Sequence, residues 1–562
     1  MKKMKLSKIF KSSYAKRVIA VMMALMMLLL ASCTTTPPEK NPDDSQNQSN
    51  VSSEPVSDGT TEDLSSDDSN SVSPYDGIIT ADANTKSNTE RTDAYEIKPV
   101  IDGSNLATNY KGYAEKERNK LLKEILNTPN TEEFYELKGR IYYVSTKGND
   151  ANDGLSPETP IQTLEAIEGL FLEDGDAVLF ERGCLWRMLE NFPVRRGITY
   201  GSYGKGRKPM FYGSPKNFAQ EIWKPSKKKN VWQISYMYAY PGQVIFNQGE
   251  EHGYRKLTIG AVEKNTDFYV DESIATLYIY CDRGNPAEVW DSIEVGGAVG
   301  ATMGTGTQNV IFDNLAFRYS SGIFGNYNNN NWTVTNCESG YVGGTRLNGG
   351  TGRAGNAITT YCGGENLYWC HNWVYQTFDS AYSPQGHAGK NAFNYHDIYI
   401  CDNLLEFNNC DIETWEAGEE ENGGPSDFYN YYMDNNICRF TSLGWGTRPD
   451  DGGIRGIDGV HYGDFVADQI TGPVSFSNNI IDCPGRQIYK FKIGNKATYD
   501  AWKRENNVYY IKQSLRTTEQ LTAQFCWTSE LYRVPGHKAT NKQQTLDAFK
   551  EFEPDATVYW YK

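Results

Sequence analysis

The sequence predicts an all-β fold in which the chain winds into a parallel β-helix, a solenoid whose successive coils stack on one another. Two observations predict it. An Asn recurs seven times between two short apolar segments in the second half of the chain, at intervals of 22 to 43 residues. About 465 of the 562 residues lie beyond a polar N-terminal segment. This exceeds one ordinary hydrophobic core but suits a repeat fold, because each coil buries only its neighbours' faces.

The recurring Asn is the most specific feature of the repeat. Asn adopts the left-handed backbone conformation readily and its amide bonds backbone groups, so it suits a tight bend between two strands. Stacked coils would align these amides in a ladder. A β-sandwich with Asn-rich turns is the alternative, but it gives no reason for Asn to recur between paired apolar segments. The seven positions are Asn314, Asn336, Asn372, Asn403, Asn436, Asn479 and Asn507.

The first 32 residues are typical of a secretory signal. Basic residues precede the apolar run VIAVMMALMMLLLA, which is too short for a membrane-spanning helix and ends in small residues. The stretch Leu30-Ala31-Ser32-Cys33 resembles the bacterial lipobox. This resemblance implies cleavage before Cys33 and lipidation of its thiol. We therefore expect a protein on the extracytoplasmic face of the cell membrane, held there by the lipid anchor alone.

Residues 33–95 form a Ser-, Asp- and Pro-rich segment that cannot bury enough apolar surface to offset its ordering entropy. We expect it to be a disordered spacer. It holds much of the formal charge of −16, and no basic cluster follows it, so the composition argues against a nucleic-acid partner.

The folded region opens with GRIYYVSTKGNDANDGLSPETPIQTLEAIEGLFLEDGDAVLFERG, residues 139–183, which predicts a strand, a polar loop, a helix from about Gln162 and a second strand. This pattern resembles the N-terminal module of right-handed parallel β-helix carbohydrate-active proteins, the pectate-lyase-like superfamily. The resemblance implies a right-handed β-helix domain over residues 137–512 with an N-terminal helical cap. Residues from about 210 to about 299 would be a strand-rich elaboration of its first coils, and residues 513–562 a C-terminal cap or tail.

The stretch NCDIETWEAG, residues 409–418, is the main candidate site. Strand alternation places Asp411, Glu413 and Trp415 on one face, and Ile412 and Thr414 on the other, which we expect to face the interior. In the superfamily that this chain resembles, the strand after the Asn bend lines a substrate groove. Acids beside aromatic rings suit glycosidic cleavage, in which one carboxyl protonates the leaving oxygen and another attacks the anomeric carbon or activates water.

The candidate catalytic residues are Glu413, Asp411, Glu416, Asp450 and Asp451. Tyr382 and Glu413 lie ten residues beyond their respective Asn, which predicts that they are neighbours on the outer face. The candidate substrate-binding residues are Trp415, Tyr382, Trp445, Arg448, Lys490, His387 and His461.

Three functions compete. The leading hypothesis is a glycoside hydrolase that acts on a poly- or oligosaccharide as a monomer and without a cofactor. A polysaccharide lyase would use a Lys or Arg base, with Ca²⁺ held by acids such as Asp450, Asp451 and Asp458. A non-catalytic glycan-binding adhesin would use the same aromatic residues. The chain has no HExxH or CxxC spacing that predicts a metal site.

Overall fold

The computed structural model describes residues 112–238, 241–347, 352–387, 394–417, 427–447, 465–467, 472–485, 488, 491–493, 502–512 and 542–561. The expected signal peptide, Cys33 and the acidic spacer lie outside these ranges. The described fold is mostly β, with long parallel sheets and few helices.

Sheet 1 contains ten parallel strands. In spatial order they are β1 Ile141–Val144, β2 Ala177–Glu181, β4 Thr199–Tyr203, β15 Val310–Asp313, β18 Trp332–Thr335, β23 Gly364–Cys370, β26 Asn394–Tyr399, β30 Asp427–Tyr432, β33 Val474–Ser477 and β36 Trp502–Glu505.

Sheet 2 also contains ten parallel strands. They are β3 Leu185–Arg187, β5 Met210–Tyr212, β16 Ala316–Arg318, β19 Glu338–Val342, β24 Trp373–Thr377, β27 Leu404–Glu406, β31 Ile437–Arg439, β34 Ile480–Asp482, β37 Val508–Lys512 and β38 Thr557–Tyr561.

Sheet 3 has six parallel strands, and the last two of them both pair with the strand Ser380–His387. They are β14 Ala301–Met303, β17 Ile323–Gly325, β22 Ile358–Tyr361, β25 Ser380–His387, β28 Cys410–Ile412 and β29 Trp415–Ala417. From β15 to β31 the chain visits sheets 1, 2 and 3 in the same cyclic order. A further parallel pair joins β32 Phe465–Ala467 to β35 Phe491–Ile493.

The residues between β5 and β14 form two smaller sheets around a separate hydrophobic cluster that includes Trp223, Phe246 and Phe268. Because β5 belongs to sheet 2, the elaboration expected from about residue 210 follows Tyr212 in the structure. Its strands are β6 Lys224–Pro225, β7 Val231–Ser235, β8 Gln243–Phe246, β9 Glu251–His252, β10 Tyr254–Arg255, β11 Asp267–Asp271, β12 Thr276–Tyr280 and β13 Ile293–Gly296. A separate hairpin joins β20 Thr345–Leu347 to β21 Gly352–Ala354.

None of the described α-helices is longer than 12 residues. They are α1 Glu115–Leu126, α2 Thr131–Phe134, α3 Leu164–Glu168, α4 Pro286–Val289 and α5 Lys542–Phe552, and the 3-10 helices are Phe218–Gln220, Asn247–Gly249, Ile259–Ala261 and Trp445–Thr447. The predicted helix near Gln162 is α3, whose first turn is capped by Thr163 Oγ1 accepting from the Ala166 N–H at 3.2 Å. Within the described ranges, no helix combines the length and apolarity needed to cross a bilayer.

The predicted Asn ladder exists in five of the seven positions. The side chains of Asn372, Asn403, Asn436, Asn479 and Asn507 are fully buried. The backbone N–H of each of the first four donates to the Oδ1 of the next Asn at 2.8–3.0 Å. The last Asn donates its N–H and its Nδ2 to Glu553 Oε1, at 3.1 and 2.9 Å. The acid that follows α5 therefore ends the ladder.

Asn314 and Asn336 were wrongly assigned to the ladder. They occupy the preceding position of the coil, where φ is +64° and +53°, and Leu315 and Cys337 stand at the ladder position itself. In later coils the same left-handed position is taken by His371, Asp402, Asn435, Asn478 and Asn506. Two adjacent positions thus favour Asn for different reasons: one needs left-handed backbone, and the other needs a buried amide.

An N-terminal strap, which we define as residues 112–135, begins against sheet 2 and ends against sheet 1, outside the domain boundary predicted at residue 137. Arg118 makes a two-point contact with the buried carboxylate of Glu406, at 3.0 and 2.9 Å. The N–H groups of Tyr113 and Ala114 donate to the Asp482 carboxylate at 3.0–3.1 Å. At its other end Thr131 donates to Asp313 at 2.6 Å. The strap therefore contacts coils that are far apart in the stack.

Candidate active site

Glu413 lies on the outer face of sheet 3. Its neighbour Ile412 is the register partner of Tyr382, and the Glu413 N–H donates to the Tyr382 carbonyl at 2.9 Å. Ile412 is 1% exposed and belongs to the main core, while Thr414 Oγ1 shares a hydrogen bond with the buried Tyr431 hydroxyl at 2.9 Å. The expectation that Ile412 and Thr414 face the interior is confirmed, and alternation then turns Glu413 outward.

The carboxylate of Glu413 is held by the preceding strand of the sheet. Its Oε2 accepts hydrogen bonds from Ser380 Oγ at 2.9 Å, Ser383 Oγ at 3.1 Å and Gln385 Nε2 at 3.2 Å. Gln385 Nε2 also donates to Ser383 Oγ at 2.7 Å. Three neutral donors on one oxygen stabilise the ionised form of a carboxyl and fix its orientation. Glu413 is half-buried, so this oriented anion lies at the surface of the sheet.

Cys410 pairs with Ser380 in sheet 3, and its thiol is buried. Burial raises the pKa of Cys410 well above its ordinary value, and the negative charges of Glu413, Asp411 and Asp379 raise it further. Asp379 directly precedes Ser380, is half-buried, and accepts the Cys410 N–H at its carbonyl at 3.1 Å. Sequence reasoning missed Asp379. The available signal was its place immediately before the strand segment SAYSPQG.

Asp411 does not face a groove, contrary to the sequence-based expectation. It is fully buried, accepting a hydrogen bond from Asn408 Nδ2 at 3.1 Å and another from Thr441 Oγ1. Burial raises the pKa of Asp411 from 3.8 to about 7. The next coil covers this end of the strand, so the carboxyl contacts protein groups where a sugar was expected.

Tyr382 was also expected on the outer face, and this orientation is wrong. The register pairs Tyr382 with Ile412, one residue away from the predicted pairing with Glu413, and a shift of one residue reverses the face. Tyr382 is fully buried, its hydroxyl donates to Asn403 Oδ1 at 2.8 Å, and its ring stacks on Trp369 with a centroid distance of 5.9 Å.

Trp445 is likewise buried, with 6% of its surface exposed, which excludes the expected stacking on substrate. Its Nε1 donates to the Gln376 carbonyl at 2.7 Å, and its ring stacks on Phe378 with a centroid distance of 5.2 Å. The indole of the 3-10 helix Trp445–Thr447 thus packs against the bend that follows β24.

The remaining candidates are placed only in part. In the backbone, Trp415 and Glu416 of β29 pair with Gln385 and Gly386 of β25, and His387 pairs with Ala417. Their side chains are outside the described part, so their roles stay predictions. Arg448, Asp450, Asp451, Asp458, His461 and Lys490 lie outside the described residues altogether. Within the described ranges, no group of three His, Cys, Asp or Glu side chains is arranged to hold a metal ion.

No protein-family model and no curated protein matches the chain. Among solved structures it is similar to XylC in complex with xylose, at 12% identity and a TM-score of 0.37, covering 75% of this chain and 82% of that one. It is also similar to the lacto-N-biosidase of family GH136 from Eubacterium ramulus, at 13% identity and a TM-score of 0.30, covering 76% and 69%. A rhamnogalacturonan lyase matches at 11% identity and a TM-score of 0.29, covering 67% and 74%. These TM-scores are below 0.5, so the function is argued from the residues themselves.

Proposed function

We propose that the chain is a glycoside hydrolase built on a right-handed parallel β-helix and that Glu413 is its key carboxylate. The observation that carries the proposal is the triple hydrogen bond from Ser380, Ser383 and Gln385 to Glu413 Oε2 on the outer face of sheet 3. The three neutral donors hold this half-buried carboxylate in one orientation. A nucleophile at the anomeric carbon, or a base that activates water, needs a carboxylate held in this way.

The second carboxyl that glycosidic cleavage needs is, in this proposal, Asp379. It directly precedes Ser380 of β25, whose Oγ donates to Glu413 Oε2 at 2.9 Å, and it is half-buried. Asp379 would protonate the leaving glycosidic oxygen while Glu413 attacks or activates water. Asp411, which is buried among Asn408 and Thr441, is assigned to the support of this corner and not to substrate contact.

The cellular setting is part of the same proposal. Cleavage before Cys33 and lipidation of its thiol would hold the enzyme at the cell membrane, and residues 33–95 would let the catalytic domain reach polysaccharide outside the cell. We expect the enzyme to act as a monomer.

The test is a polysaccharide panel with matched variants. The purified full chain is incubated with neutral and acidic plant, algal and host polysaccharides, and both reducing ends and unsaturated-uronide absorbance are followed, with and without chelator. Hydrolysis predicts new reducing ends without absorbance. Glu413→Gln should lower turnover at least a thousandfold, because it removes the charge but keeps the shape. Glu505→Gln, a partly exposed glutamate of sheet 1 paired with Lys503, is the control and should retain full activity.

Other outcomes replace the proposal. Absorbance that disappears with chelator would establish a lyase that uses Ca²⁺. Glycan binding without any turnover would establish an adhesin. Turnover that survives Glu413→Gln but not Asp379→Asn would remove Glu413 from the central role.

A further inference from the structure

The outer face of sheet 1 carries a continuous column of side chains at one register position. From coil to coil the column runs through Ile311, Thr333, Tyr368, Tyr399 and Tyr432. Tyr368 is 47% exposed and Tyr399 is 36% exposed. Exposed aromatic rings grouped on a strand face are unusual on a soluble surface and commonly mark a binding site.

The tyrosine rings of this column do not all stack in parallel. Tyr399 and Tyr432 stack in parallel, with centroids 5.2 Å apart and an angle of 15° between the rings. Tyr368 is tilted by 46° from Tyr399 at 6.1 Å, so the regular stack ends at this ring. The next positions of the column, Thr333 and Ile311, are much smaller. The side chains of the column therefore become smaller beyond Tyr368, and one side of the Tyr368 ring borders the space above Thr333 and Ile311.

This step forms a groove of about 470 Å³. Its lateral wall is a row of three exposed asparagines. Asn366 Nδ2 donates to Asn331 Oδ1, and Asn331 Nδ2 donates to Asn309 Oδ1, both at 2.9 Å. All three have φ between +53° and +56°, a backbone conformation that Asn tolerates well, so the row is fixed by the coil itself. The groove is lined by Asn309, Ile311, Asn331, Thr333, Asn366, Tyr368 and Tyr399.

The lining specifies the chemistry of a ligand. All seven side chains are uncharged, so an anionic or cationic ligand gains no counter-charge from the lining itself. An aromatic face attracts weakly positive C–H groups, and amides donate to and accept from hydroxyl groups. A neutral sugar offers both, with C–H bonds on the face of the ring and hydroxyls around its edge.

We propose that this groove is a second glycan-binding site, specific for neutral oligosaccharide segments and separate from the candidate active site. It lies on sheet 1, whereas Glu413 lies beside β25 on sheet 3. The glycan chemistry of the ligand rests in part on the proposed hydrolase function. A site of this kind would hold a polymer on the enzyme while another segment is cleaved, raising its local concentration at the active site.

The experiment measures binding in the Glu413→Gln full chain, so that turnover does not consume the probe. Cellohexaose, xylohexaose, mannohexaose and laminarihexaose are titrated by calorimetry. At least one should bind, and adding Tyr368→Ala should weaken its Kd about tenfold, the loss expected for one aromatic contact of about 1.4 kcal/mol. The control is Tyr559→Ala, since Tyr559 is 44% exposed and stacks on Tyr510 on sheet 2. It should leave the Kd unchanged.

The proposal is overturned if none of the four probes binds, or if Tyr368→Ala and Tyr559→Ala leave the Kd equally unchanged. Its failure can be distinguished from failure of the hydrolase proposal. If the otherwise unmodified Glu413→Gln chain keeps its turnover while Tyr368-dependent binding is present, the groove stands and the catalytic assignment falls.

Discussion

Replacing one amide of the ladder should destabilise the protein far more than replacing its exposed neighbour. Asn436 is fully buried; its Oδ1 accepts from the backbone N–H and from Nδ2 of Asn403, both at 3.0 Å, and its Nδ2 donates to the Ile400 carbonyl at 2.8 Å. Asn436→Ala removes these three hydrogen bonds. At about 1 kcal/mol each, the expected loss is about 3 kcal/mol, and more where a buried group finds no new partner.

The assay is urea unfolding of the full chain followed by circular dichroism, comparing transition midpoints at equal slope. The control is Asn435→Gly, which changes the adjacent exposed residue at φ +60°, where glycine meets no steric cost. It removes the side-chain hydrogen bond to the Asp402 carboxyl and should lower the free energy of unfolding by no more than about 1 kcal/mol. A loss below about 1 kcal/mol in Asn436→Ala would refute the reasoning, because it would mean that the ladder amides exchange their partners for water without cost.

Three further predictions concern buried or oriented charge. Because burial raises the pKa of Asp411 from 3.8 to about 7, folding favours its protonated form; the stability it contributes is present below about pH 4 and is lost as the pH rises to about 7. Asp411→Asn should remove this pH dependence. At pH 8 it should raise the free energy of unfolding by about 4 kcal/mol, the equivalent of a pKa shift of about three. Urea unfolding at a series of pH values measures this, and an unchanged slope of the free energy of unfolding against pH would contradict it. Arg439→Ala should cost about 3 kcal/mol or more in urea unfolding, since it leaves two buried carboxylates without this partner, and a loss under about 1 kcal/mol would argue against buried pairing. Ser383→Ala removes one of three donors to the candidate carboxylate and should lower kcat roughly tenfold at unchanged KM; a rise in KM alone would place Ser383 in binding instead.

The pattern of strands and bends could be predicted from the sequence because it depends on local chemistry. Asn372 and the later ladder residues recur where each coil needs a buried amide, and Ile412 and Thr414 alternate with the outward Glu413 as a strand requires. The register between neighbouring coils could not be predicted to within one residue. Counting from Asn placed Tyr382 opposite Glu413, and the actual offset of one residue moves its ring from the surface to the core.

The strap could not be predicted from the sequence for a different reason. Helix α1 docks on sheet 2 partly through charged groups, with Arg118 and Glu115 meeting charges that the sheet itself buries, such as Arg439. Charged residues on a helix normally indicate a solvated face. Only the contacts with Glu406 and Arg439 show that these side chains pair with buried charges of sheet 2, and those contacts depend on the fold of residues far away in the chain.

The course of the strap has a mechanical consequence. Residue 113 sits at the coil of Asp482 and Thr131 at the coil of Asp313, so the strap runs back along the stack from its late coils to its early ones. A pulling force on the N-terminus would therefore break the contact at Asp482 first. The other contacts of the strap would break one after another before the force acted on β1. The 24 residues of the strap could extend to about 80 Å, at 3.3–3.6 Å per residue. The strap would detach and extend under tension while the strands of the sheets stay paired.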